Sequence, residues 1–220
     1  MLKKSIVGAC IVSALFLVGC AITPTPLPVD NLAASDQTQV ENQCPAEEGT
    51  SEIFSLWVSS ARYGYARAAL DITNPTAPRL FAHYLQEKYG TNPVPPTQLR
   101  HFAVYANNRA EAQASALGAA IGGGIGALIA TSGISRSGDT VSTLVNSSDF
   151  DALSGDDEYK RAFYTELPKG TSAYVVYIES ESGGKNRFTR TVTPIKTVQI
   201  GEKIPLHQAL DAAIKFHLNY

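Results

Sequence analysis

Residues 173 to 179 have the sequence Ala-Tyr-Val-Val-Tyr-Ile-Glu. Residues that are β-branched or aromatic favour strands. Apolar side chains would fall on both faces of this strand, so we expect it to lie in the interior of a sheet. The next stretch, Ser182-Gly-Gly-Lys-Asn186, predicts a turn, and residues 187–200 predict the return strand. The C-terminal half is therefore predicted to contain a β-hairpin.

The return strand and the segment after it carry two informative prolines. Pro194 interrupts strand pairing and indicates an edge or a bulge. Pro205 is predicted to open a final helix whose apolar side includes Leu206, Leu210 and Ile214. Because two strands alone are marginally stable, the hairpin needs this helix, another strand or a partner chain to cover it.

Three helices are predicted in the N-terminal part of the domain. The first starts at Thr50 or Ser51, carries apolar residues at the 3.6-residue period and ends at Asn74-Pro75. The second runs from Thr76 to Gly90, and the third starts at Thr97. The first helix would present a ridge of small residues for close helix packing: Ser60, Gly64 and Ala68.

Residues 112–135 carry no charge and are rich in glycine. Small residues recur there every four positions, including Gly118, Gly122 and Gly126. Glycine weakens a helix in water by about 1 kcal/mol relative to alanine, whereas close backbone packing offsets this cost between membrane helices. One interpretation is a helix inserted in a membrane; the other is a buried helix that packs on the Ser60–Gly64–Ala68 ridge or on a neighbouring subunit.

These patterns together predict an α+β fold class. It would comprise N-terminal helices including a long glycine-rich helix, then a C-terminal β-hairpin or small antiparallel sheet packed on a final helix. Residues 50–220 would form this domain, with the glycine-zipper segment at 112–135.

The first twenty residues have the features of an export signal. Lys3-Lys4 precede an apolar run that ends in Leu17-Val-Gly-Cys20, and a basic start, an apolar core and small residues before a cut site are typical of secretory signal peptides. The cut-site residues resemble the lipobox of bacterial lipoproteins. That resemblance implies removal of residues 1–19 and acylation of Cys20, and Ala21 after the cysteine implies the outer membrane.

Residues 20–49 are predicted to be a disordered tether between the lipid and the domain. They are rich in proline, polar residues and acidic residues, with no apolar period. About 30 such residues have a coil span of roughly 30 Å.

Beyond the lipobox, the glycine-rich segment resembles the glycine-zipper outer-membrane lipoproteins (the 17-kDa surface antigen group) and the conjugal surface-exclusion lipoproteins. Those families usually have two glycine-rich segments, whereas residues after Gly133 are polar here.

Charge and cysteine content exclude several classes of protein. The full chain has 18 basic and 20 acidic residues; without residues 1–19, which hold Lys3 and Lys4 and no acid, the counts are 16 and 20, a net charge of −4. This mild negative charge argues against a nucleic-acid partner. Cys10 leaves with the signal and Cys20 would carry lipid, so Cys44 cannot form an internal disulfide.

The histidines do not form a recognisable catalytic or metal-binding pattern. His83 and His217 lie on or near apolar helix faces and are expected to be core or interface residues, whereas His101 and His207 are expected to be exposed. No His-Glu-x-x-His motif is present. The sequence therefore predicts no catalytic residue, no cofactor and no metal site.

The function expected from these features is that of an envelope lipoprotein without catalysis. It would be held at the outer membrane by lipid on Cys20, would face the periplasm, and would act as a structural or interaction module with a second copy or another envelope protein as partner. Two alternatives remain open: a membrane-inserted glycine-zipper oligomer and an unrecognised envelope enzyme.

Overall fold

The computed structural model describes residues 24–32, 40–45, 56–60, 65–68, 70–107, 139–146, 165, 167, 172–195 and 202–219. Within these residues the secondary-structure elements are β1 (Thr25–Pro26), β2 (Val40–Asn42), β3 (Leu56–Ser60), β4 (Tyr65–Ala68), β5 (Thr73–Asn74), α1 (Ala77–Tyr89), β6 (Thr97–Asn107), β7 (Val141–Leu144), β8 (Ala173–Ser182), β9 (Lys185–Pro194) and α2 (Pro205–Leu218).

Seven of these strands form one mixed sheet. Six of them lie in the order β3-β4-β6-β8-β9-β7, and each pairing along this path is antiparallel. The seventh, β2, pairs in parallel with the N-terminal end of β6, beyond the end of β4. β1 and β5 form a separate two-stranded parallel ladder. The long strands β6 and β8 therefore lie at the centre of the sheet.

Both helices begin and end where local signals predict. Thr76 precedes α1, a proline lies in its first turn, and Gly90 ends it with a φ of 58°. Pro205 is the first residue of α2, and Asn219 ends that helix in the left-handed conformation. Glycine and asparagine adopt a positive φ at lower cost than other residues, which makes them frequent helix ends. The predicted second and final helices are thus confirmed.

The two helices pack on one face of the sheet and share its largest apolar core. Alternate residues of β8 face the helices, in keeping with the two-residue period of a strand. The fully buried members of this core include Leu80 and Phe81 of α1, Leu99 and Phe102 of β6, Ile178 of β8, and Leu206, Leu210 and Ile214 of α2.

The opposite face of the central strands is buried as well. Ala103 and Tyr105 of β6 and Val175 and Tyr177 of β8 form a second apolar cluster and are at most 2% exposed. The rings of Tyr105 and Tyr177 meet edge to face with centroids 6.2 Å apart. The prediction that residues 173–179 form an interior strand is therefore confirmed.

The predicted hairpin is also present. Gly183 and Gly184 connect β8 to β9 with φ values of 57° and 75°. A two-residue turn with positive φ at both positions matches the twist of the flanking strands, and glycine adopts it without strain.

β9 ends at Pro194, which still pairs with Ala173 of β8. The backbone contact continues one residue further, since Ile195 N donates to the carbonyl oxygen of Ser172 at 2.8 Å, so Pro194 does not interrupt the pairing with β8. Residues 196–200 of the predicted return strand lie outside the described residues.

The predicted first helix is wrong. In its place, β3 and β4 form an antiparallel pair with a register irregularity between Trp57 and Ser60. β4 also pairs along its whole length with β6. Strand pairing with a distant segment is not encoded in local periodicity, so short strands joined by a brief connection can mimic a helical pattern.

The predicted third helix is wrong too, since residues 97–107 form β6. A register shift between Leu99 and His101 brings Leu99 and Phe102 to the same side of the strand. This bulge gives apolar residues the three-residue spacing of a helix. Beyond it, residues 102–107 are all buried because both faces of β6 are covered, which removes the alternation that identifies a half-buried strand.

These two corrections change the predicted fold class in its N-terminal half. The described residues contain helices only at 77–89 and 205–218, and the N-terminal helices expected before and after α1 are replaced by strands. The sheet is larger than the predicted hairpin because five further strands extend it: β2, β3, β4, β6 and β7. The glycine-rich segment 112–135 lies outside the described residues.

Candidate functional site

A buried histidine near the end of α2 is the centre of a first polar cluster. His217 is 1% exposed; its Nε2 atom lies 2.7 Å from Oγ of Ser180, and its Nδ1 atom lies 2.7 Å from Oγ1 of Thr189. The ring of Phe81 packs against it at a centroid distance of 5.8 Å. Ser180 belongs to β8 and Thr189 to β9, so the cluster connects α2 to the central hairpin.

The environment keeps His217 uncharged. Burial lowers its pKa to about 3, and the positive charges of Arg187 and Lys88 act in the same direction. A neutral imidazole has one donor and one acceptor nitrogen. One of the two hydroxyl groups therefore donates to the ring and the other accepts from it, which satisfies both ring nitrogens. The expectation that His217 is a core histidine is confirmed.

Two basic side chains bind the C-terminal end of α2 beside this histidine. Lys88 Nζ donates a hydrogen bond to the carbonyl oxygen of Leu218. Arg187 Nη2 donates to the carbonyl oxygen of Phe216 at 3.2 Å, and its guanidinium lies 5.8 Å from the centre of the Phe216 ring. The last carbonyls of a helix lack helical partners and carry partial negative charge. These two residues therefore stabilise the end of α2.

A second polar cluster lies between α1 and α2 around Asp211. Tyr84 Oη donates a hydrogen bond to Oδ1 of Asp211, and Lys203 Nζ donates one to Oδ2. His207 Nε2 lies 3.3 Å from Oδ1, which is an ion-pair distance without hydrogen-bond geometry. Tyr84 also contacts Lys215, whose Nζ atom lies 5.1 Å from the centre of the tyrosine ring.

These contacts keep Asp211 ionised although it is only 9% exposed. Burial by itself would raise its pKa, but the contacts with His207, Lys203 and Tyr84, together with the charge of His207, lower it to about 2. A buried carboxylate is tolerated when its oxygens accept several hydrogen bonds. The Asp211 cluster is therefore an electrostatic link between the two helices.

Two of the four histidines are less exposed than the sequence predicts. His207 is fully buried, and neither of its ring nitrogens has a hydrogen-bond partner within the described part of the chain. It lies in the first turn of α2 but packs beside Leu206 and Leu210, which belong to the main core. His101 is half-buried and lies on β6 rather than in a helix. His83 is 9% exposed, so it is buried as expected.

The Ser180–His217 pair has the separation of a nucleophile and its general base, but the cluster lacks two further features of such a site. The Ser180 side chain belongs to a residue that is 4% exposed, so a substrate has no access to its oxygen in this conformation. The group on the other ring nitrogen is the neutral hydroxyl of Thr189, which does not compensate the imidazolium that a general base forms. The geometry fits a structural network.

Sequence reasoning missed the partners of both clusters. Ser180 continues the helix-facing series Tyr174, Val176 and Ile178, so it is a polar residue at a core position. That position is the one signal that could have indicated a buried partner. The partner itself lies 37 residues away, and only the packing of α2 on the hairpin identifies it.

The N-terminal segment attaches to the domain much earlier than predicted. Thr25 N donates to the carbonyl oxygen of Ile72 at 2.7 Å, and Leu27 N donates to that of Asn74 at 2.7 Å. Leu27 is 4% exposed and belongs to the main core. Part of the segment predicted to be a free tether is therefore docked on the domain.

A second part of the same segment follows the edge of β6. Val40 and Cys44 are half-buried against the main core, and Gln43 N donates to the carbonyl oxygen of Leu99 at 2.8 Å. The thiol of Cys44 lies 3.7 Å from the same oxygen. Residues 40–45 are thus held by both strand pairing and packing.

The structure places few of the residues selected from the sequence. Ser60 lies in β3 and Ala68 in β4, so they are not on a common helix; Ala68 is buried in the main core. The other selected residues lie outside the described residues: Cys20, Gly64, Gly118, Gly122 and Gly126.

The chain matches no protein-family model, no curated protein and no solved structure. Among the residues that the structure describes, no helix is sufficiently long and apolar to span a membrane. The same residues contain no group of three or more histidine, cysteine, aspartate or glutamate side chains that could hold a metal ion.

Proposed function

We propose that this chain is a bacterial envelope lipoprotein whose domain acts as a structural or interaction module. Acyl chains on Cys20 attach it to the outer membrane, and the domain faces the periplasm. The observation that carries the proposal is the Leu17-Val-Gly-Cys20 stretch behind a basic and apolar leader. Each buried CH₂ group of an acyl chain contributes about 0.8 kcal/mol to membrane binding, so several chains make a stable anchor.

The two buried clusters support a non-catalytic role. Ser180, His217 and Asp211 are each at most 9% exposed, and their polar atoms contact one another or neighbouring side chains. Buried polar networks of this kind rigidify a fold and specify its packing. A rigid domain on a lipid anchor presents its surface to a second copy or to another envelope protein, and its mild net charge does not favour a nucleic acid.

The test is fatty-acid labelling and membrane fractionation of the full chain. We expect the natural chain to incorporate labelled palmitate and to stay with the membrane after a high-pH carbonate wash. The comparison protein has a conventional cleavable signal peptide in place of residues 1–19 and carries Cys20→Ser. It should be exported, unlabelled and released as a soluble protein. Cys44→Ser in the natural chain is the matched control and should change neither result.

Two outcomes would contradict the proposal. An unlabelled natural chain that is released by carbonate would show that Cys20 is not a lipid anchor. A Cys20→Ser protein that remains in the washed membrane would show that the chain itself is inserted, as expected of a glycine-zipper oligomer formed through Gly118, Gly122 and Gly126.

A further inference from the structure

The docked N-terminal segment limits how far the domain can lie from a lipid attached to Cys20. Pro24 is the first described residue, and the pairing of β1 with β5 begins at the next residue. Three residues lie between Cys20 and Pro24, so four Cα–Cα steps connect them. A fully extended chain covers at most about 3.6 Å per residue, so this connection spans no more than about 14 Å.

This distance is short compared with the size of the domain. A chain of about 170 residues has a radius of gyration of roughly 15 Å, which corresponds to a diameter of about 40 Å. A free tether of about 30 residues would have placed the domain roughly 30 Å from the lipid. The docked segment removes most of that freedom, because residues 24–32 belong to the domain surface and core.

From this geometry we infer that the β1–β5 face lies against the membrane surface. We define this face by its exposed residues Pro24, Pro26, Pro28 and Asn74. The inference rests on the proposed acylation of Cys20, and its partner is the head-group layer of the leaflet that holds the acyl chains.

The β1–β5 face is attached to the domain firmly, so the short connection to Cys20 limits the position of the domain as well as that of the face. The hydrogen bonds from Thr25 N to Ile72 O and from Leu27 N to Asn74 O are both 2.7 Å long. The Leu27 side chain is inserted into the main core at 4% exposure. Pulling residues 24–27 off the surface would therefore break two backbone hydrogen bonds and expose a buried leucine.

The composition of the face is compatible with contact to lipid head groups. Residues 24–29 carry no charge, and the exposed positions are three prolines and an asparagine. Asp30 lies at its border, and no basic residue occurs among residues 24–32. Electrostatic attraction to anionic lipid is therefore not the cause of the contact. The covalent connection to Cys20 imposes it.

The experiment measures energy transfer from the β1–β5 face to the bilayer. The lipidated full chain, purified from membranes, carries Cys44→Ser and a donor dye on Asn74→Cys. It is reconstituted into phosphatidylethanolamine–phosphatidylglycerol vesicles that contain an acceptor-labelled lipid. The matched control has fifteen glycine and serine residues inserted after Ala21, which lengthens the connection and leaves the described domain unchanged. A second pair of proteins, one with the natural connection and one with the insertion, carries the donor dye on Pro28→Cys instead of Asn74→Cys.

We expect the transfer efficiency of the natural connection to be at least twice that of the lengthened one, at both label positions. Equal efficiency in the two proteins would overturn the inference, because the short connection would then not determine where the face lies. Co-flotation with the vesicles is measured in the same samples. Failure to co-float would contradict the proposed acylation instead, so the two failures are distinguishable. Circular dichroism verifies that each labelled variant is folded.

Discussion

His217 shows how a single residue makes the stability of this domain depend on pH. The hydroxyl groups of Ser180 and Thr189 satisfy its two ring nitrogens, while Phe81 covers the ring. Arg187 and Lys88 bring positive charge to the same region. None of these five neighbours carries a negative charge that would offset the cost of burying an imidazolium, so the folded protein resists protonation of this ring.

The free energy of unfolding is therefore expected to fall as the pH decreases from 6.5 toward 3. His217 has a pKa of about 3 in the folded protein and 6.5 in the unfolded chain, so only the unfolded chain binds the proton in this range. The contribution is complete above pH 6.5 and is lost toward pH 3, with a slope of about 1.4 kcal/mol per pH unit and a total on the order of 5 kcal/mol. Urea denaturation of the non-lipidated domain between pH 7.5 and 5 measures the slope.

His217→Leu is the comparison variant for this prediction. It lowers stability near neutral pH, because two buried hydroxyl groups lose their partner, but its slope below pH 6.5 should be smaller by up to about 1.4 kcal/mol per pH unit. An unchanged slope would show that His217 is not the titrating group. Asp211 does not interfere in this range, because its stabilising effect is lost only below pH 3.8.

At the scale of elements, the turn between β8 and β9 is the clearest case of local sequence control. Gly184 has a φ of 75°, and a Cβ atom added at this position would meet no atom within 4 Å. The cost of a substitution there is therefore a backbone cost and not a steric clash with neighbours. A left-handed conformation costs ordinary residues about 1–2 kcal/mol, whereas asparagine tolerates it better.

Gly184→Val should accordingly lower the free energy of unfolding by about 1–2 kcal/mol. Gly184→Asn should lower it by only a few tenths of a kcal/mol. Chemical denaturation of the two variants alongside the natural domain measures both effects. If the two substitutions had equal costs, the positive φ at this position would not be what selects glycine.

The strand β6 illustrates why some elements could not be predicted from local sequence. Its bulge brings Leu99 and Phe102 to one face, and residues 102–107 are buried on both faces. A helix and a fully buried strand then have similar apolar patterns. The pairing of β6 with β8 and β4 decides between them, and this pairing depends on residues far away in the sequence.

At the scale of the whole molecule, residues 24–32 and 40–45 belong to the folded domain. Leu27 fills a place in the main core, and Val40 and Cys44 cover its edge. A composition rich in proline and polar residues predicts a free linker. It does not show that single apolar residues within the segment find sites on a distant surface.

A chain of residues 46–220 should therefore be less stable than a chain of residues 24–220. Loss of a buried leucine side chain costs about 2–5 kcal/mol, and the partial loss of Val40 adds to this. We expect a total decrease of at least about 3 kcal/mol in the free energy of unfolding by chemical denaturation. The chain of residues 20–220 with Cys20→Ser is the control and should equal the chain of residues 24–220. Equal stability of the two truncated chains would indicate that the N-terminal segment is not part of the fold.

Local signals in the sequence are sufficient to predict three elements: α1 between Thr76 and Gly90, the glycine turn of the β8–β9 hairpin, and α2 from Pro205. In each case backbone conformation or a missing N–H acts within a few residues. The tertiary structure alone decided the strand character of β3, β4 and β6, the burial of His207 and the two polar clusters, and the docking of residues 24–32. These depend on pairing and packing between distant segments, and their free energy exists only once the chain has brought those segments together.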